Sequence, residues 1–174
     1  RREINVHSNR PHIMITYNSK RTHVIDEITR QGHSLMSING KWVSSNDVAV
    51  QAIIDSFDEL VPARTEAKAR IVEQSQAYMQ QIESEYPSFE RATWPTQKAE
   101  IEAWELDNTS LTPLLDNIAI AREMDRITLL NRTLVKVQAY NIQAAYLAGT
   151  RQKLEDEIDN STDLDFISSI NFEV

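Results

Sequence analysis

Residues 125–159, DRITLLNRTLVKVQAYNIQAAYLAGTRQKLEDEID, decide the fold class. They hold a single glycine, Gly149, and no proline, the two residues that most often interrupt a helix. Ile127, Leu130, Leu134 and Val137 recur at 3-4-3 spacing, which places them on one face of an α-helix. The same face continues through Asn141, Ala144, Ala148 and Arg151, while a second stripe runs through Tyr140, Leu147, Leu154 and Ile158. This drift is expected, because 3.6 residues per turn do not match a seven-residue repeat. Asp125 is suited to cap the start, so one long helix is predicted from there to about Asp159. Its seam admits two readings. It packs inside a helical bundle, or it zips with other copies as a coiled coil in which Asn141 sets register or oligomer state.

Working upstream, prolines and caps mark out further helices. Thr112-Pro113 opens one carrying Leu114, Leu115, Ile118 and Ile120, and Pro95 opens one with Ala99, Ile101 and Trp104 inward. Pro62 starts another that carries Ala67, Ile71, Met79 and Ile82 to about Glu85, ahead of the stop at Pro87. Ser45 or Asn46 caps a helix with Val48, Ile53, Ile54 and Phe57. Before residue 46 the period is near two. His12–Asn18 alternates as a strand, and β-branched Thr22–Ile25 is placed to return against it; Asp26–Gln31 is alternatively a helical turn closed by Gly32. Asn39-Gly40 suits a type I′ turn, whose two central positions need positive φ. It pairs Leu35–Ile38 with Lys41–Ser44, setting Met36 opposite Val43 and Ser37 opposite Trp42. Phe166–Val174 alternates weakly, as a short strand or docking tail. The expected fold is α+β and mostly α: a small antiparallel β module over residues 1–46, then a helical bundle or coiled-coil region over 47–174 with a long last helix.

Charge supports a boundary near residue 46. The first 46 residues carry seven Lys/Arg against three acids, whereas the rest carry 11 against 23. A net charge of −8 argues against non-specific nucleic-acid binding by the whole chain. The basic residues of the first part are spread out rather than clustered as a groove-reading helix requires. With no cysteine there is neither a disulfide nor a thiolate metal site. No apolar run is long enough to span a bilayer. The first residue is Arg1 rather than Met, which points to a processed or partial chain.

A search for chemistry returns little. Phosphate-cradling loops need clustered glycines, and only Gly32, Gly40 and Gly149 exist, widely separated. A di-iron bundle needs Glu-x-x-His on facing helices, yet no histidine follows His33. His7, His12, His23 and His33 lack metal-ligand spacing. Glu83 with Glu85, and Glu155 with Asp159, lack the apolar setting that raises a carboxylate pKa. No catalytic residue, cofactor or metal is therefore expected. The remaining candidates are anchors: Trp42 for the sheet, and Phe89, Trp94 and Trp104 for the helices, each either core or interface.

Four stretches carry a resemblance: Tyr86–Gln97 (YPSFERATWPTQ), Thr112–Asp116 (TPLLD), Asn131–Val137 (NRTLVKV) and Leu147–Gln152 (LAGTRQ). Together, over residues 47–160, they resemble a group of tail-associated proteins of tailed phages and prophages, often encoded beside tail-fibre genes. The resemblance implies a non-enzymatic tail component, whether fibre, fibre-attachment or peripheral baseplate subunit. It would be assembled in the host bacterial cytoplasm and kept in the virion tail. Its partners would be other tail proteins and copies of itself, with a trimer favoured. The alternative is a tail-fibre assembly chaperone that leaves before the virion is complete. No functional residues of that group carry over to this chain.

Overall fold

The computed structural model describes residues 14–18 and 21–173. Among them the chain runs α1 (His23–Arg30), β1 (Leu35–Ile38), β2 (Lys41–Ser44), α2 (Asp47–Ser56), α3 (Leu60–Ser84), α4 (Ser88–Arg91), α5 (Trp94–Leu106), α6 (Pro113–Ala121), α7 (Arg126–Asn160) and α8 (Leu164–Ser169). The fold is α+β and mostly α, with a two-stranded antiparallel sheet and a long helix toward the end. No helix among the described residues is long and apolar enough to cross a membrane.

The chain divides into two compact units. The first gathers the described residues up to Ala67 together with Ser161–Ser169; the second holds Lys68–Asn160 and the described residues from Ile170. The boundary thus falls inside α3, not at residue 46 where the composition changes. The reason is packing: α2 buries Val50, Ile53 and Ile54 in the same cluster as Ile15, Val24 and Ile28. Val48 of the same helix is exposed, whereas Val50 is buried.

Unit 1 keeps the hairpin as expected and changes what precedes it. Leu35 pairs with Ser44, Met36 with Val43, Ser37 with Trp42 and Ile38 with Lys41. Asn39 (φ 52°) and Gly40 (φ 75°) form the left-handed turn. Residues 14–18 are not a strand, although Ile15 is buried; His12 and Ile13 lie outside the described residues. Thr22–Ile25 does not return as a strand either. Val24 and Ile28 sit four apart and are both fully buried, and that helical spacing outweighs local β-branching. Gly32 (φ 80°) closes α1 in a Schellman arrangement, with His33 N–H donating to Ile28 O and Gly32 N–H to Thr29 O. Asn46 caps α2 by accepting from Ala49 N–H at 3.2 Å.

In unit 2, α5, α6 and α7 pack around Ile101, Leu115, Ala119, Leu129 and Leu130, with Trp104, Ile118, Met124, Leu134 and Val137 alongside. Ile120 of α6 is exposed. The first N–H groups of α6 are satisfied from α5: Glu100 accepts from Leu114 N–H and Leu115 N–H, both at 2.9 Å. Arg126 ties the start of α7 to the start of α6, donating to Asp116 at 2.7 Å and to the buried Thr112 hydroxyl at 2.8 Å. Asp125 caps α7 through Thr128 N–H at 2.9 Å. Residues 170–173 form no strand; they lie against α3, where Arg70 donates to Ile170 O and Phe172 N–H donates to Gln74. The part before them, expected as strand or tail, is helix α8.

Candidate docking surfaces

The four seam residues of α7 do not share one environment. Leu130 is fully buried, and Leu134 and Val137 pack beside it against α5 and α6. Ile127, by contrast, is 47% exposed. The chain's own helices therefore fill the face that a coiled coil would have used. Asn141 accepts a hydrogen bond from Lys98 of α5 at 3.1 Å, so its amide serves a contact within the chain. Toward the end of α7 the buried face passes to Leu147 and Ile158, as the drift in the sequence predicted.

The aromatic candidates separate as well. Trp42 is half-buried on the unit 1 core, with its ring edge-on to Tyr17 at 4.7 Å. Trp104 packs on the unit 2 core, and its buried Nε1 has no hydrogen-bond partner. Trp94 stands between Tyr86 (5.2 Å) and Tyr140 (6.0 Å) in edge-to-face contacts. Phe89, at 76% exposed, contributes nothing to either core cluster. Trp42, Trp94 and Trp104 thus serve packing first, while Phe89 is available to a neighbour.

Sequence reasoning missed the outward faces. Alternation along the hairpin sends Trp42 to the core and leaves Met36, Ile38 and Val43 exposed on the other side. On α7, Val135, Ile142 and Tyr146 are 65%, 71% and 56% exposed. Counting outward from the predicted seam would have found this second stripe, because Val135, Ala139, Ile142 and Tyr146 follow 4-3-4 spacing.

Between α3 and α7 lies an open groove of about 390 Å³ lined by Met79, Glu83, Tyr140, Ala144, Leu147 and Arg151. Burial, and then the charge and hydrogen bond of Glu83, push the Tyr140 hydroxyl above its ordinary pKa. Glu83 also receives Arg91 at 3.2 Å.

The most concentrated ionisable cluster is in unit 1. His23 Nδ1 lies 2.5 Å from Glu59 and its Nε2 lies 3.0 Å from Glu66. Glu59 is only 5% exposed and also accepts from His23 N–H at 2.7 Å, while its second oxygen is buried without a partner. Each ring nitrogen faces a carboxylate oxygen, an arrangement that favours the protonated ring with its two N–H donors. Burial opposes that charge, but hydrogen bonds to Glu66 and Glu59 and their charges outweigh it, raising the His23 pKa above 6.5. The two carboxylates lie on opposite sides of the ring, so the three groups do not converge on a point where an ion would sit. Among the described residues no group of three or more His, Cys, Asp or Glu is placed to hold a metal. Compared with family models, curated proteins and solved structures, the chain finds no match.

Proposed function

We propose that the chain is a non-enzymatic docking subunit, and that the assembly it serves is the tail of a tailed phage, as a fibre, fibre-attachment or peripheral baseplate component. One observation carries the docking reading: two regular elements, the β1–β2 hairpin and α7, each bury one face and leave an apolar face in solvent. Solvated faces of this kind lower free energy when a partner covers them. The tail setting rests on the resemblance of residues 47–160. Glu100, Arg126 and Asp125 serve helix ends and His23 sits in an ion-pair cluster, structural uses that fit this reading. The test is quantitative mass spectrometry of purified virions beside the unfractionated lysate. Peptides of this chain in the virion, at a fixed ratio to known tail subunits, support the tail component. Peptides in the lysate but not in the virion replace it with the assembly chaperone. A virion-free source of the chain would remove the tail setting.

A further inference from the structure

The outward face of α7 is unlike an ordinary solvated helix face. Residues 137–150 carry no charged side chain, in a chain whose residues are 25% charged. Outward along this stretch and just before it stand Val135, Ala139, Ile142, Tyr146 and Gly149, all exposed, at 4-3-4-3 spacing. That spacing keeps a stripe in contact with another helix over several turns. The stripe also mixes large and small residues, and Ala139 and Gly149 allow close approach of a second backbone.

The charges bounding the stripe are of opposite sign. Arg132 and Lys136 lie at its beginning, and Asp156 lies beyond its end. Neighbouring charges are already engaged: Arg151 with Glu155, Lys153 with Glu157 and Asp159 with Lys68. Among the described residues Arg132, Lys136 and Asp156 have no ion-pair partner.

We infer that this face pairs with the same face of a second copy, antiparallel, about a two-fold axis level with Ala144. One register satisfies the charges and the volumes together. It sets Arg132 opposite Asp156 of the second copy, Ala139 opposite Gly149 and Ile142 opposite Tyr146; the two-fold axis repeats each pair. Val135 then meets Lys153, whose aliphatic stem covers it while the ammonium stays in water. A parallel pair would place Arg132 beside Arg132 and leave Asp156 beside Asp156. The contact is isologous and closes at two copies. The expected coiled-coil trimer would use Leu130, Leu134 and Val137, which face α5 and α6 instead. The pairing rests on the docking reading but not on the phage-tail setting: solution mass tests it without reference to virion content.

The experiment is light scattering of the intact chain over a concentration series, with three variants. The wild type is expected as a monomer–dimer equilibrium. Ile142→Glu, at an exposed position, should weaken the dimer at least about tenfold while leaving circular dichroism unchanged, and melting unchanged at concentrations where both proteins are monomers. Arg132→Asp should weaken it as well, and adding Asp156→Arg should restore it. Because the chain has no cysteine, an Ala139→Cys/Gly149→Cys variant reports register directly, and air oxidation should link two copies. A strict monomer, a trimer, a dimer indifferent to Ile142→Glu, or charge reversal without rescue would each overturn the inference.

Discussion

Unit 1 and unit 2 solve the same problem by different means. Each closes a small apolar cluster, but unit 1 places His23 between two carboxylates, one of them buried. Unit 2 uses charges to serve helix ends: Glu100 accepts from the first N–H groups of α6, Asp125 caps α7, and Arg126 ties Asp116 to Thr112. A buried ion pair stabilises only while both partners stay charged and bonded, whereas charges at caps keep much of their solvent. The difference teaches where each unit is vulnerable. Unit 1 should respond to pH near neutrality, and unit 2 to loss of single apolar or capping groups.

The largest effects test whether the two cores are separate cooperative structures. Leu130→Ala removes a fully buried side chain from unit 2, and Ile28→Ala does the same in unit 1. Each is expected to cost about 2–5 kcal/mol. Hydrogen exchange should show lost amide protection in α5–α7 for Leu130→Ala and in α1–α2 for Ile28→Ala. Equal loss across both units from either substitution would break the comparison, making one core of what is described as two.

Next in size is the histidine. Its raised pKa means that the stabilisation is fully present below about pH 6.5 and is lost as pH rises through the higher folded value. Above that point Glu59 is left as a buried carboxylate facing a neutral ring. His23→Gln should cost about 1–3 kcal/mol on the acid side and progressively less on the alkaline side. Thermal melts of both proteins from about pH 5.5 to pH 9 read this out. Parallel pH profiles would mean that His23 does not carry the dependence. In unit 2 the matching substitution is Glu100→Ala, which strips two N–H groups of their acceptor and should cost about 1–2 kcal/mol.

These two sites also mark the limit of sequence reading. Asn39-Gly40, Asn46 and Asp125 act on backbone within three residues of themselves, so their roles were legible, and so was the hairpin register. Glu100 caps a helix that starts 13 residues later, and His23 meets Glu59 across 36 residues. Nothing local distinguishes either from a solvated side chain. Only the start of α1 was misread: Thr22–Ile25, with its β-branched members, fits periods of two and 3.6 alike until burial of Val24 and Ile28 decides, whereas the alternative of a helical turn over Asp26–Gln31 closed by Gly32 holds. On α7 the period was right and the inner face partly right. Which apolar stripe turns inward depends on where α5 and α6 pack, and the spacing of Ile127, Leu130, Leu134 and Val137 does not contain that information.

The smallest expected effect contrasts two helix ends of the same design. α6 closes as α1 does, with Met124 N–H donating to Ala119 O and Glu123 N–H donating to Ile120 O. The left-handed position is Gly32 in unit 1 but Glu123, at φ 49°, in unit 2. A side chain in that region costs about 1–2 kcal/mol, whereas glycine adopts it freely but loses more chain entropy on folding. Glu123→Gly should therefore stabilise unit 2 by about 0.5–1 kcal/mol. Gly32→Ala should destabilise unit 1 by about 1 kcal/mol, and there the cost is conformational alone, since a Cβ at Gly32 would meet nothing within 4 Å. Urea midpoints moving in opposite directions would confirm that the two ends share one geometry. A loss from Glu123→Gly would mean that the Glu123 side chain makes a compensating contact in solution, and the likeness of the two helix ends would extend to the backbone only.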